Sequence, residues 1–151
     1  MDQFETSLNE LLMDTFDTIL KYESQSLKRL VGDSITIAEA HMIAYIAGQD
    51  GQATVSQIAA DRRLAVPTIT VAVKKLERKG YVVKVPWPHD GRRSYVRLTE
   101  EGERVNRAHS LLHQAMVRNI SDHFQPQEKA VLLSAITKLN VFFSGLTKVA
   151  K

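Results

Sequence analysis

Between Pro67 and Leu98 a helical hydrophobic period gives way to two strand-like runs around a turn, and this change constrains the fold more than any other feature. Over 67–79, Ile69, Ala72, Val73 and Leu76 fall on one face at about 100° per residue, as in a helix with one buried side. Pro67 suits the first helical position, where its missing N–H costs nothing, and Gly80 suits the end. Tyr81-Val82-Val83-Lys84-Val85 follows, rich in β-branched side chains. The turn-forming stretch Pro86-Trp87-Pro88-His89-Asp90-Gly91 separates it from Ser94-Tyr95-Val96-Arg97-Leu98, so the pair reads as a β-hairpin with a long tip. Upstream, Thr54 and Gln57 stand at capping-box spacing and open a short helix to about Arg62, with a turn over 63–66. Thr36 and Glu39 repeat that spacing at the start of a helix that ends at Gly48. Two short helices, a tight turn and a hairpin, in that order, are the parts of a winged helix-turn-helix.

Long helices flank this unit. Phe4, Leu8, Leu11, Leu12, Phe16, Ile19 and Leu20 recur at three- and four-residue spacing, which predicts an amphipathic helix over 2–30, closed by Gly32-Asp33-Ser34. Thr99-Glu100-Glu101 caps a helix to about Asp122, and a last one starts near Pro126. In it, Leu132, Ile136, Leu139, Phe143 and Leu146 form a short heptad-like seam, a bundle or dimer face. The fold class is mainly α with a small β-hairpin wing. With 151 residues, 44% of them hydrophobic, the chain can bury a real core in one domain. No run of 18 apolar residues occurs, so no membrane span is expected, and the acidic start Met1-Asp2-Gln3-Phe4-Glu5 does not resemble a secretory signal. The absence of cysteine rules out disulfides, thiolate metal sites and cysteine nucleophiles, and it fits a reducing cytoplasm.

Charge points to the partner. From Arg62 to Arg97 there are ten basic and two acidic residues, a local balance of +8 in a chain of net +3. A basic centre between acidic ends marks a polyanion site, although a solvated basic face has the same composition. On the 67–79 helix, Pro67, Val71, Lys74 and Arg78 lie opposite the apolar face, flanked by Thr68, Thr70 and Lys75. Hydroxyls, a small apolar group and cations suit thymine methyls, base edges and phosphates in a major groove. At the hairpin tip, Arg92 and Arg93 can enter a narrow minor groove, and Asp90 can hold the loop by accepting from turn amides or an arginine. Trp87 there is a packing anchor or a DNA contact. No Gly-rich phosphate loop, nucleophile elbow or zinc-protease helix is present, which speaks against an enzyme.

Asp90-Gly91-Arg92-Arg93 followed by Leu98-Thr99-Glu100-Glu101-Gly102 resembles the wing and next helix of the MarR family of bacterial regulators. Leu76-Glu77-Arg78-Lys79-Gly80-Tyr81 resembles that family's end of the recognition helix, and the likeness extends over essentially the whole chain. Thr70-Val71-Ala72-Val73 with the Lys75–Tyr81 run resembles the branch that represses fatty-acid synthesis genes in Gram-positive bacteria. The resemblance implies a cytoplasmic homodimer that binds an inverted-repeat operator, as a repressor whose affinity answers to an effector: a lipophilic ligand, an acylated carrier or a metal. It implies a single domain over 1–151, with a DNA-binding lobe at 36–99 and dimerisation helices at 1–35 and 100–151. Residues 67–79 would read the major groove and Arg92 the minor groove. Val66 departs from the polar capping residue of many relatives. The competing expectation is a winged-helix module that binds nucleic acid without specificity, or binds protein, with no effector.

His109 and His113 stand four apart, so both imidazoles project from one helical face. Zinc-sensing members of the family use a glutamate late in helix 1, a histidine in helix 2 and a His-x-x-x-His pair in helix 5. Glu23, His41, His109 and His113 occupy similar places, a donor set for tetrahedral Zn2+. The alternative is two interfacial histidines and a partly buried His41 lining a ligand pocket. Phe16, Tyr22, Met42 and Tyr45 would line such a pocket or belong to the core.

Overall fold

The computed structural model describes residues 2–88 and 90–149, with the backbone alone at residues 91–92 and 147–149. The element order is α1 (Gln3–Val31), α2 (Ile37–Ala47), α3 (Val55–Arg62), α4 (Val66–Arg78), β1 (Val82–Trp87), β2 (Asp90–Leu98), α5 (Glu100–Asp122) and α6 (Pro126–Val149). The chain divides into two compact units, Met1–Leu112 and His113–Lys151, with the boundary inside α5.

Capping side chains set the helix starts. The Asp2 and Thr36 side chains accept from the N–H groups of Glu5 and Glu39, whose carboxylates close the capping boxes. Thr54 accepts from the Gln57 N–H, and this opens α3. Ala65 offers no side chain to cap α4, which begins at Val66 and places Pro67 in the second position, one residue earlier than expected. Lys79 then ends the helix as its C-cap, and Gly80 takes φ +80°, the left-handed region that favours glycine.

The first unit has one core. Ile69, Val73 and Leu76 of α4 are buried, with Ala72 packed against them in part. They meet Ile43 and Ile46 of α2, Ile58 of α3, Val82 and Val96 of the hairpin, Leu27 of α1 and Val105 of α5. The hairpin is antiparallel with Val82 opposite Leu98 and Pro86 opposite Ser94. A third short pairing joins its base, where the Val96 N–H donates to the Ala53 carbonyl at 2.7 Å. The strands run further than the sequence suggested. Pro86, Trp87 and Asp90 lie in the sheet rather than in a long tip. β1 has β2 as its one neighbour in the sheet and so is an edge strand, where proline is tolerated. The register shifts between Pro86 and Trp87.

A tight corner joins the hairpin to α5. The Thr99 hydroxyl donates to the Gly80 carbonyl at 2.6 Å and accepts the Gly102 N–H at 3.1 Å. The Thr99 N–H donates to the Tyr81 carbonyl at 3.1 Å. A Cβ added at Gly102 would lie 2.1 Å from that same Tyr81 carbonyl oxygen, so glycine is required by backbone approach.

In the second unit, α6 departs from the expected seam. Leu132 and Leu139 are half-buried, while Ile136, Phe143 and Leu146 are exposed. Val131, Leu133, Val141 and Phe142 are exposed on other sides, so the apolar surface extends well around the helix. By length and composition alone, Pro126–Leu146 could cross a membrane. Counting uninterrupted apolar residues missed this because Lys129, Lys138 and Asn140 break the run.

Gly102→Ala is expected to lower unfolding stability by about 2 kcal/mol through forced backbone displacement, although alanine gains about 1 kcal/mol of helix propensity. Urea midpoints of the two proteins check this, and an equal or higher midpoint for the variant contradicts the packing.

Candidate nucleic-acid interface

The outer face of α4 follows from what its inner face buries. With Ile69, Val73 and Leu76 inward, Pro67, Thr68, Val71, Lys74 and Arg78 stand exposed, Val71 at 68%. Thr70 is half-buried, and its hydroxyl donates to the Val66 carbonyl at 2.9 Å within the helix.

Lys75 has a partner inside the lobe. Its Nζ lies 3.1 Å from Glu39 Oε1 of α2. Lys79 Nζ donates to both Glu39 oxygens, at 2.9 and 2.8 Å, and to the Ser34 carbonyl at 2.8 Å. Burial by itself would raise the Glu39 pKa. Hydrogen bonds from Lys79, the Thr36 N–H and Lys75 outweigh it and hold the group at about 2. Glu39 therefore stays charged and ties α4 to α2. Sequence reasoning identified Glu39 only as a capping residue. The four-residue spacing of Lys75 and Lys79 was the available signal for a shared counter-ion.

A second link fixes α3. The Tyr45 hydroxyl donates to Asp61, which also accepts from Gln57 Nε2 at 2.8 Å. Burial and then the Asp61 carboxylate push the Tyr45 pKa up to about 12. Tyr45 is thus a helix-to-helix tether, Met42 belongs to the core, and Phe16 and Tyr22 are exposed.

On the wing, Trp87 stacks on Tyr95 with centroids 4.8 Å apart and planes 20° from parallel. The Arg93 guanidinium lies 5.7 Å from the Trp87 ring, and Arg97 lies 5.8 Å from Tyr95. Asp90 Oδ2 is 3.8 Å from Arg93 Nε. Arg97 Nε donates to the Gly51 carbonyl at 2.8 Å. Trp87 therefore packs within the wing, and Arg93 is held between an aromatic face and a carboxylate. A cleft of about 560 Å³ separates this aromatic face from the start of α3, lined by Gln52, Thr54, Gln57, Trp87, Arg93 and Tyr95. His89 and the Arg92 side chain lie outside the described residues.

The histidine positions converge. Glu23 of α1, His41 of α2 and His109 of α5 place donor atoms within 4.8 Å of one another in the first unit. Glu23 Oε2 is 3.6 Å from His41 Nε2, and the His41 and His109 rings meet edge to face at 5.1 Å. Glu23 and His109 are buried and His41 is half-buried. His113 lies one turn beyond His109 on the continuous helix α5, on the same face.

A family model for the MarR family matches residues 33–93. The DNA-bound structure of FabT from Streptococcus pneumoniae is 32% identical, with a TM-score of 0.88, and the match covers 94% of this chain and 99% of that one. The chain belongs to the MarR family. It is a winged helix-turn-helix DNA-binding transcriptional regulator rather than an enzyme. MepR from S. aureus, in a DNA complex, is 22% identical with a TM-score of 0.72, over 89% of this chain and 96% of that one. A mutant MarR from E. coli, complexed with operator DNA, is 22% identical with a TM-score of 0.70, over 92% and 99%. At that identity these two share the fold of the present MarR-family chain. No curated protein sequence matches it.

Proposed function

We propose that this MarR-family chain is a cytoplasmic repressor that binds an inverted-repeat operator as a homodimer. The carrying observation is the exposed face of Pro67, Thr68, Val71, Lys74 and Arg78 beside a basic wing, in a chain similar to FabT, whose structure is of a DNA complex. In this reading residues 36–99 are the DNA-binding lobe. The N-terminal half of α4 enters the major groove, and Lys74 and Arg78 grip phosphates. Lys75 contributes positive potential while paired with Glu39. The wing reaches the minor groove with Arg92, and Asp90 and Trp87 restrain Arg93 beside it.

Residues 1–35 and 100–151 supply the dimer. Phe4 and Phe16 of α1 and Val131 and Phe142 of α6 are more than half exposed in the single chain, which favours burial against a second copy. The same burial accounts for the apolar character of α6 without a membrane. Two-fold symmetry would then set the two α4 helices on half-sites about 34 Å apart. Arg92→Ala is expected to weaken operator binding and flatten the dependence of log affinity on log salt by about one unit of slope. Anisotropy titrations at several salt concentrations measure both, and an unchanged slope counts against the wing contact.

The histidine cluster favours Zn2+ as an effector. A carboxylate and imidazoles are zinc donors, and donor-to-donor edges in a tetrahedral site are about 3.4 Å. The 3.6 Å between Glu23 and His41 matches that edge, and side-chain adjustment closes the wider spacings. Zinc bound by Glu23, His41 and His109 would cross-link α1, α2 and α5. Zinc at 100 times its Kd should stabilise the protein by about 2.7 kcal/mol, seen as a raised melting temperature, and should change operator affinity. His109→Ala is expected to lose both responses. Equal responses in the variant would remove the metal reading.

A further inference from the structure

The first half of the recognition helix carries no group capable of the usual bidentate base contacts. Over residues 64–73, Leu-Ala-Val-Pro-Thr-Ile-Thr-Val-Ala-Val, there is no charged or amide side chain. Guanine is read mostly by arginine or lysine on O6 and N7, and adenine by asparagine or glutamine on N6 and N7. None of these residue types is available where a helix-turn-helix inserts deepest, at the N-terminal end of its second helix. The first cation, Lys74, lies nearly a full turn beyond Val71, and Lys75 faces Glu39.

What this half presents is apolar. Leu64, Val66 and Val71 are 48%, 47% and 68% exposed, and Pro67 and Thr68 are exposed beside them. Exposed β-branched side chains on a helix otherwise stabilised by a buried stripe have no role in the core. The Thr70 hydroxyl spends its proton on the Val66 carbonyl. The major groove offers one apolar group, the 5-methyl of thymine.

We infer that α4 reads its operator through thymine 5-methyl groups, with Val71 as the central contact and Pro67 and Val66 beside it. This rests on the DNA-reading role proposed above for α4. Half-sites are accordingly defined by the placement of thymines, and guanine edges contribute little at the positions facing Val71. Thr68 adds a single adaptable hydroxyl that tolerates either base of a pair.

The test uses the full chain and an operator recovered by selection from random duplex. Each thymine of the half-site is replaced by deoxyuridine, symmetrically in both halves, which removes only the methyl. Losing a buried methyl should lower affinity about three- to fourfold, so the paired change costs about tenfold at one or two positions. In Val71→Ala, whose exposed site and helix propensity leave the fold intact, the preference for thymine over uracil at those positions should fall below about twofold. Replacing guanines by 7-deazaguanine should leave affinity unchanged. Indifference to deoxyuridine at every thymine overturns the inference while leaving the regulator reading intact, as does an unchanged thymine preference in Val71→Ala. Failure to select any sequence overturns the DNA-reading role itself and this inference with it.

Discussion

A single carboxylate ties α4 to α2. Glu39 sits at the start of α2, accepts the Thr36 N–H and takes Lys79 and Lys75 from one side of α4. Two cations and a backbone donor around one largely buried acid satisfy its lone pairs, which is the condition under which a buried ion pair is not a net cost. The apolar contacts of Ile69, Val73 and Leu76 decide which face of α4 turns inward. The ion-pair cluster adds direction, since it engages the C-terminal half of the helix and leaves the N-terminal half clear. Everything proposed about base reading depends on that orientation.

The remaining tethers act in the same sense. Tyr45 and Gln57 lock α3 through Asp61, and Thr99 with Gly102 folds the hairpin back onto the end of α4. The wing is stiffened by the Trp87–Tyr95 stack and by Arg97 on the Gly51 carbonyl. Helix, turn and wing thus share one core, with Lys74 and Arg78 of α4 exposed on its outside. His41 of the Glu23–His41–His109 group follows Glu39 by two residues on α2. The short helix α2 therefore carries both His41, one of the effector candidates, and the carboxylate that grips α4.

Much of this was legible before any coordinates. Thr36 with Glu39 and Thr54 with Gln57 announced two helix starts because a capping box is a local device, written in adjacent residues. The start of α4 lies one residue before the expected one because Ala65 has no capping group to mark it, while proline at 67 fits the first helical turn as well as its first position. The long tip expected from Pro86, Pro88 and Gly91 turned out largely strand, since a two-stranded ribbon tolerates proline on its free edge. The hidden part was long-range. Glu39 and Lys79 are 40 residues apart, and nothing local says that a capping glutamate also receives two lysines. The wider apolar surface of α6 also escaped a seam-based reading, because Val131, Leu133, Val141 and Phe142 lie off the heptad positions.

The central claim is that two copies of this MarR-family chain place two α4 helices on one face of a duplex. Helical phasing tests it most directly. Operators are built with identical half-sites whose centres are separated by about 10 base pairs, by about 15 and by about 20. The account predicts tightest binding at one turn and a loss of at least about tenfold at the half-turn insertion, where the second half-site faces away. Equal affinity at every spacing would contradict it, because a protein that reads each half-site alone has no reason to register the turn between them.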